Sequence, residues 1–220
     1  MSSSTTTLIL IRHGETDWNR ELRFQGQIDV PLNATGRAQA ERLGQRLAAG
    51  AFAIDAIVAS DLLRTRETAA PAAQRLGLSV GLDAGLREQH FGRFEGLRAV
   101  DIQARHPEEW AAWTRHDPKH APSGGESQHA FHARVIAALR RVAAAHAGRT
   151  LAVVTHGGVL DMLWRQAQGL PLGGARTCAI PNCGLNHASF DGASFRLLGW
   201  ADDGHLHGLP EQPSTAPASA

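Results

Sequence analysis

The sequence predicts an open α/β sheet, and three observations carry the prediction. Short apolar runs, Leu8–Ile11 and Leu151–Val154 the clearest, have the unbroken hydrophobicity of strands buried on both faces. Segments of helical period follow them, so strands and helices alternate along the chain. A length of 220 residues with 43% apolar content suits one domain with a sizeable core.

In chain order, Leu8–Ile11 is a strand that ends at Arg12, followed by a loop through Pro31 and Asn33. Thr35–Ala49 reads as a helix with Ala38, Leu43 and Leu47 near its buried stripe. Ile54–Ala59 is a second strand, and Asp61–Leu76 a helix that Gly77 is placed to end. Residues 84–125 differ in texture, with many glycines and prolines and short helical pieces at most. They are expected to form an inserted lid. Ser127–His146 is a long helix anchored by Phe131, Val135, Ile136, Leu139 and Val142. Ser123-Gly-Gly-Glu126 before it has capping-box spacing but reads equally well as loop. A strand at Leu151–Val154 leads into a helix at Gly157–Gln168. Leu185–Phe190 and Phe195–Trp200 form a hairpin pair joined at Asp191-Gly192. The expected organisation is one catalytic domain over residues 1–202, its lid at about 84–125, and a flexible C-terminal tail over 203–220 whose last eight residues are disordered.

Composition narrows the function. A formal net charge of +1 argues against a nucleic-acid partner. No segment reaches the roughly 18 apolar residues that span a bilayer, so no membrane partner is expected. The opening Met-Ser-Ser-Ser-Thr-Thr-Thr lacks the basic start and apolar run of a signal peptide, and the expected location is cytoplasmic. Two cysteines, Cys178 and Cys183, make no disulfide framework. Cysteine-phosphatase chemistry needs an arginine six residues after the thiol, where Gly184 and Ser189 stand, so both read as structural thiols.

One pattern occurs twice. Strand Leu8–Ile11 runs into Arg12-His13-Gly14, and strand Leu151–Val154 runs into Thr155-His156-Gly157-Gly158. Ligands of open α/β sheets bind beyond the carboxyl ends of strands, which would bring both histidines to one rim. The glycines are expected to let backbone approach a ligand, and a helix starting near Gly157 would aim its N–H groups at an anion. Either histidine alone would be an ordinary loop residue; it is the repetition that points to a site. Arg12 offers a guanidinium fork suited to phosphate oxygens. Arg64 or Arg66, after the second strand, could reach the same rim, and Arg66 equally suits a solvated helix face.

Together these motifs resemble the histidine phosphatase superfamily, the phosphoglycerate mutase-like proteins. Arg12-His13-Gly14-Glu15-Thr16-Asp17-Trp18-Asn19 is similar to the family's opening signature, and Phe24-Gln25-Gly26 through Leu32 to its next block. Ser60-Asp61-Leu62-Leu63-Arg64-Thr65 resembles the second-arginine motif. Leu86-Arg87-Glu88 with Phe91–Gly96 resembles the acid loop, and Thr155-His156-Gly157-Gly158 the second-histidine motif. The agreement runs from about residue 7 to 200. The resemblance implies a mixed, mostly parallel sheet flanked by helices, with the small helical insert over the pocket. It implies that His13 is the nucleophile, that Arg12, Arg64 and His156 hold the phosphoryl oxygens, and that Glu88 donates the proton. Asn19 and, more weakly, Gln25 are implied as further phosphate contacts, with the backbone at Gly157 beside them.

The chemistry agrees with those roles. Phosphoryl transfer is mostly positioning and charge stabilisation, which two guanidiniums and an imidazole supply without a metal or other cofactor. The nucleophile must be neutral before attack, and neighbouring arginines disfavour a protonated His13. Glu88 suits an alkoxide leaving group once bound phosphate and burial favour its protonated form. The rival reading is a surface carboxylate at Glu88, with Glu95 as the alternative acid. His205-x-His207 and His116/His120 complete no metal cluster. Trp110 and Trp113 could line a substrate mouth, but packing of the insert onto the body is favoured.

Leu97–His120 carries Arg98, Arg105, Arg115 and Lys119 against Asp101, Glu108, Glu109 and Asp117. It offers no net attraction for a second anion, as dedicated mutases do, and resembles the inserts of small broad-specificity phosphatases. Gly125-Glu126-Ser127 extends that likeness. The partner is therefore expected to be a small phosphate ester that the chain hydrolyses. A cofactor-dependent phosphoglycerate mutase and a dead phosphate-binding protein are the alternatives. A homodimer is compatible with the sequence, which does not determine the oligomeric state.

Overall fold

The computed structural model describes residues 5–210. The expectation of disorder for the last eight residues, and the first four residues of the N-terminal stretch, lie outside that range. Six strands form one sheet: β1 Thr6–Arg12, β2 Ala56–Ala59, β3 Val80–Leu82, β4 Thr150–Thr155, β5 Leu185–Phe190 and β6 Phe195–Asp202. Their order is β3-β2-β4-β1-β5-β6. The first four run parallel, and β5 pairs antiparallel with both β1 and β6. The mixed, mostly parallel sheet is therefore the one expected.

Helices cover both faces. They are α1 Asp17–Arg20, α2 Ala34–Ala48, α3 Leu63–Leu76, α4 Ala99–Arg105, α5 Pro107–Thr114, α6 Gln128–Ala145 and α7 Gly157–Gln168. β1 is apolar over Leu8–Ile11 because it lies between β4 and β5 with a core on each side. Leu8 and Leu10 pack with α6 and α7 residues such as Phe131, Leu139 and Leu160. Ile9 and Ile11 pack on the other face with Leu43, Leu47 and Ala69.

The helix boundaries follow local chemistry. Asn33 caps α2, its side chain accepting from the Gly36 N–H, so the helix starts at Ala34 and not at Thr35. Its buried stripe runs through Gly36, Gln39, Ala40, Leu43, Gly44 and Leu47, leaving Ala38 only half-buried. Gly77, at φ 66°, ends α3 as expected. Ser127 is the cap of α6, accepting from Ala130 N–H. Ser123 instead donates its hydroxyl to Glu109, so Ser123–Glu126 is loop and no capping box. The insert contains α4, α5 and two single-turn 3₁₀ pieces. Trp110 and Trp113 stack edge-on with Phe24 and Phe94, which is the packing role favoured from sequence. Residues 203–210 were expected to begin a flexible tail. They carry a turn at Gly204–Leu206, with Leu206 packed on the α2–α3 core.

Candidate active site

Three strand ends build one rim. Arg12 pairs with Thr155 in the parallel β1–β4 ladder. Just past the strands, His13 N–H donates to Thr155 O (2.9 Å) and Ser60 N–H to Val154 O (3.0 Å). His13 and His156 consequently meet edge-on, with ring centroids 5.3 Å apart. The single rim expected from the repeated strand–His–Gly pattern is thus present.

His13 is held in one orientation. Its Nδ1 lies 2.7 Å from Gly14 O. A carbonyl only accepts, so Nδ1 carries the proton and Nε2 keeps the lone pair. A turn before β5 braces this segment from behind. Asn182 Nδ2 donates to His13 O (2.6 Å), Cys183 N–H to Arg12 O (2.8 Å), and Arg12 Nη1 to Ile180 O (2.8 Å). Sequence reading did not find this brace.

Arg64, in the first turn of α3, is fully buried. Its guanidinium donates to Ile28 O (2.9 Å) and Gly26 O (2.7 Å). Gly26 has φ +50°, and a Cβ there would lie 2.0 Å from Glu95 Oε1, so only glycine presents that carbonyl. Arg66 is exposed, in keeping with a solvated helix face. The Nε of Arg12 and the Nε of Arg64 are both buried without a protein partner. Burial lowers both guanidiniums to about 10, Arg176 adding to the effect on Arg12, and both stay charged at neutral pH.

His156 Nε2 lies 2.9 Å from Ser60 Oγ, while its Nδ1 is buried without a partner. Burial first, and then Arg64 with Arg12, hold both His13 and His156 well below the usual imidazole range. Both rings are therefore neutral at pH 7, as expected for His13.

Glu88 reaches the rim from the insert side. Its carboxylate accepts from Gly158 N–H (3.0 Å) and Gln89 N–H (2.9 Å), and it acts electrostatically on both Arg12 and Arg64. A Cβ on Gly158 would lie 2.1 Å from Glu88 Oε1. The glycines after the histidines were expected to admit a ligand. Gly158 instead admits Glu88, and Gly14 admits Gly36, whose oxygen would lie 2.6 Å from a Cβ at Gly14.

The loop bearing Glu88 is held by Arg134 of α6, which donates to the carbonyls of Gly85, Arg87 and Glu88. Arg134 is itself gripped by both oxygens of Glu126 (2.8 and 2.7 Å). Thr155 Oγ1 donates to Leu86 O (2.8 Å), and Arg87 pairs in bidentate fashion with Asp61. Glu95, the rival acid, is committed elsewhere, accepting from Gln27 and Phe91 N–H groups.

Asn19 Oδ1 closes a capping box with Thr16, which leaves its amide nitrogen as the group able to meet a ligand. Gln25 is 8% exposed, with its Oε1 buried and unpartnered, next to the Gly26 carbonyl that holds Arg64. Gly157 opens α7 against Arg12 and Arg176. Cys183 is buried and Cys178 half-buried; burial pushes the Cys178 thiol up to about 11 and Cys183 higher still. Among the described residues, no group of three or more His, Cys, Asp or Glu is placed to hold a metal ion, and no helix is long and apolar enough to cross a membrane.

Comparison with known proteins agrees with this geometry. The profile of the histidine phosphatase superfamily (branch 1) matches residues 8–203. Phosphoglycerate mutase-like protein 4 of Arabidopsis thaliana is 37% identical over 202 residues, covering 90% of this chain and 86% of that protein. Among solved structures, Bacillus stearothermophilus YhfR superposes with a TM-score of 0.85 at 33% identity, covering 92% of this chain and 100% of YhfR. The mycobacterial glucosyl-3-phosphoglycerate phosphatase gives 0.74 at 33% identity, covering 90% and 100% of the two chains. With the strand-end histidines in place and the match spanning nearly every described residue, the chain belongs to the histidine phosphatase superfamily.

Proposed function

We propose that the chain hydrolyses small phosphate monoesters through a phosphohistidine on His13. The observation that carries this reading is the His13 ring itself. It is neutral, its Nδ1 proton is committed to Gly14 O, and its Nε2 keeps a lone pair in the field of Arg64 and Arg12. The Nε2 attacks phosphorus and the ester oxygen leaves. Arg12, Arg64 and His156 neutralise the equatorial oxygens as charge spreads over them. For neutral His156 to donate from Nδ1, its Nε2 must accept, and the Ser60 hydroxyl is placed to donate there. Asn19, Gln25 and the Gly157 backbone complete the oxygen contacts. Glu88 gives its proton to the leaving oxygen and then takes one from the water that attacks the phosphohistidine.

The insert favours water over a second sugar acid as acceptor. Its balanced charges are partly consumed internally, Arg98 on Asp101 and Glu109 on Arg93. The mutase reading draws support from the names of relatives, phosphoglycerate mutase-like protein 4 of Arabidopsis thaliana and the probable phosphoglycerate mutase GpmB of Klebsiella pneumoniae among them. Phosphate release from nitrophenyl phosphate, and phosphate against 2-phosphoglycerate formed from 3-phosphoglycerate, separate the readings. Hydrolysis is expected to dominate and to survive EDTA, because the arginines already neutralise the phosphoryl charge. His13→Ala is expected to lose roughly 10⁴-fold or more and to form no phosphoenzyme. Dominant isomerisation would select the mutase, and an inert wild-type protein the binding protein.

A further inference from the structure

Arg165, on the last turn of α7, is 3% exposed and has all five N–H groups engaged. Nε donates to Asp161 (2.9 Å), Nη1 to the carbonyls of Pro171 and Gly173, and Nη2 to those of Gly174 and Ala175. The next residue, Arg176, is thereby delivered to a fixed place on the rim. The position a Cβ would take on Gly157 lies 3.5 Å from Arg12 Nε and 3.5 Å from an Nη of Arg176. Two guanidiniums thus flank the first residue of α7.

Their charges are poorly compensated. The Arg176 carboxylate partner, Asp161 Oδ1, is 4.0 Å away, at the outer limit of an ion pair, and the other Asp161 oxygen serves Arg165. Arg12 Nε is buried and unpartnered. In the reading above Arg12 and the α7 N-terminus serve the transferred phosphoryl group, which leaves the weakly paired Arg176 charge beside them for a second anion. Arg176 is the strongest charge acting on Arg12. It flanks the phosphoryl pocket on the Arg12 side. Its side chain is 34% exposed, open to the part of a substrate that projects from the pocket.

We propose that Arg176 is a specificity-determining residue that binds a second anionic group, a carboxylate or phosphate, on the part of the ester that is not transferred. This rests on the monoesterase reading above and deepens it: the favoured substrates carry two anionic groups. Electrostatic attraction for such a group therefore comes from the loop after α7, although the insert lacks it.

The test compares 3-phosphoglycerate, glycerol 1,3-bisphosphate, glycerol 3-phosphate and nitrophenyl phosphate on wild-type protein, Arg176→Gln and Arg176→Lys. Wild type is expected to favour the first two over glycerol 3-phosphate in kcat/KM by roughly ten- to a hundredfold, the span of a hydrogen bond to a charged group. Whichever of the two gains more identifies the preferred anion. Arg176→Gln removes that preference and leaves glycerol 3-phosphate and nitrophenyl phosphate within about twofold, as expected for loss of a contact to the non-transferred group alone. Arg176→Lys retains part of it, because it keeps the charge but not the fork. Equal losses on all four esters would place Arg176 on the transferred phosphoryl and overturn the proposal. So would a wild type without preference, which makes Arg176 a solvated loop cation. If wild type turns over none of them, the monoesterase reading fails. Calorimetric binding of 3-phosphoglycerate against glycerol 3-phosphate then tests Arg176 alone, and equal affinities reject it.

Discussion

The phosphoryl pocket and the loop that carries Glu88 face each other, but they are held by different means. The pocket is made of buried side chains clamped by main chain: Arg64 by two carbonyls, His13 by Gly14 O and the Asn182 brace. The Glu88 loop hangs on side chains, chiefly Arg134 and Glu126, each about a quarter exposed. Under the proposed function the pocket residues serve the core and the chemistry together, and changing one is expected to disturb both. The acid loop is an attachment whose chemistry can be removed while the sheet stands.

The sharpest test of that contrast is Glu88→Gln. It is expected to slow alkyl phosphate hydrolysis by roughly 10²–10⁴-fold, the range of general acid catalysis, with the melting temperature little changed. Nitrophenyl phosphate, whose leaving group needs little help, should still give a burst of nitrophenol followed by slow turnover. Equal slowing of the burst step for both ester types would reduce Glu88 to a residue that shapes the pocket.

Acid should break the pocket before the loop. His13 and His156 stay neutral in the fold well below the range in which they protonate once unfolded. The unfolded chain then binds more protons, so stability is complete above about pH 6.5 and falls as pH drops from there toward the depressed folded values. The slope is about 1.4 kcal/mol per pH unit for each histidine. Urea titrations at pH 7.5 and 5.5 measure it, and His156→Asn should flatten it. A wild-type slope of the opposite sign would mean that an imidazolium is stabilised in the pocket.

A smaller effect is expected from Arg134→Ala, which removes the donor to the Gly85 and Arg87 carbonyls and one of the donors to Glu88 O and to Glu126. Misplacing Glu88 by this route should lower kcat on alkyl esters roughly tenfold, equivalent to about 1.4 kcal/mol. The nitrophenol burst should be nearly spared, and Arg134→Lys should recover part of the loss. If the burst falls as far as alkyl turnover, the loop supports the pocket as well as the acid.

The same contrast explains what could be read from sequence. Elements whose ends are set by local chemistry were legible, as with Gly157–Gln168 and the Gly77 cap. β3 was not: its Gly81 breaks any pattern, and Leu82 is 54% exposed at the sheet edge. Four-residue α1 is too short for periodicity and rests on the Thr16–Asn19 box. His13, Arg12, Arg64, Glu88 and His156 converge because each sits in a motif at the end of a strand or on a linked loop. Arg134, Asn182, Ser60 and Arg176 act through partners 40 or more residues away in some cases, and nothing in their own neighbourhood announces it. The one available signal was Pro181-Asn182-Cys183-Gly184, turn residues placed just before a strand.

The place of β1 in the sheet has a consequence for biosynthesis. It leaves the ribosome before the other strands of the sheet, yet its two neighbours, β4 and β5, begin at Thr150 and Leu185. At ordinary translation rates Leu8–Ile11 waits on the order of ten seconds for either partner. Throughout that interval an apolar strand destined to be buried on both faces has both edges open, which is the condition that invites aggregation. His13 at its tip acquires neither His156 nor the Asn182 brace until those residues have emerged.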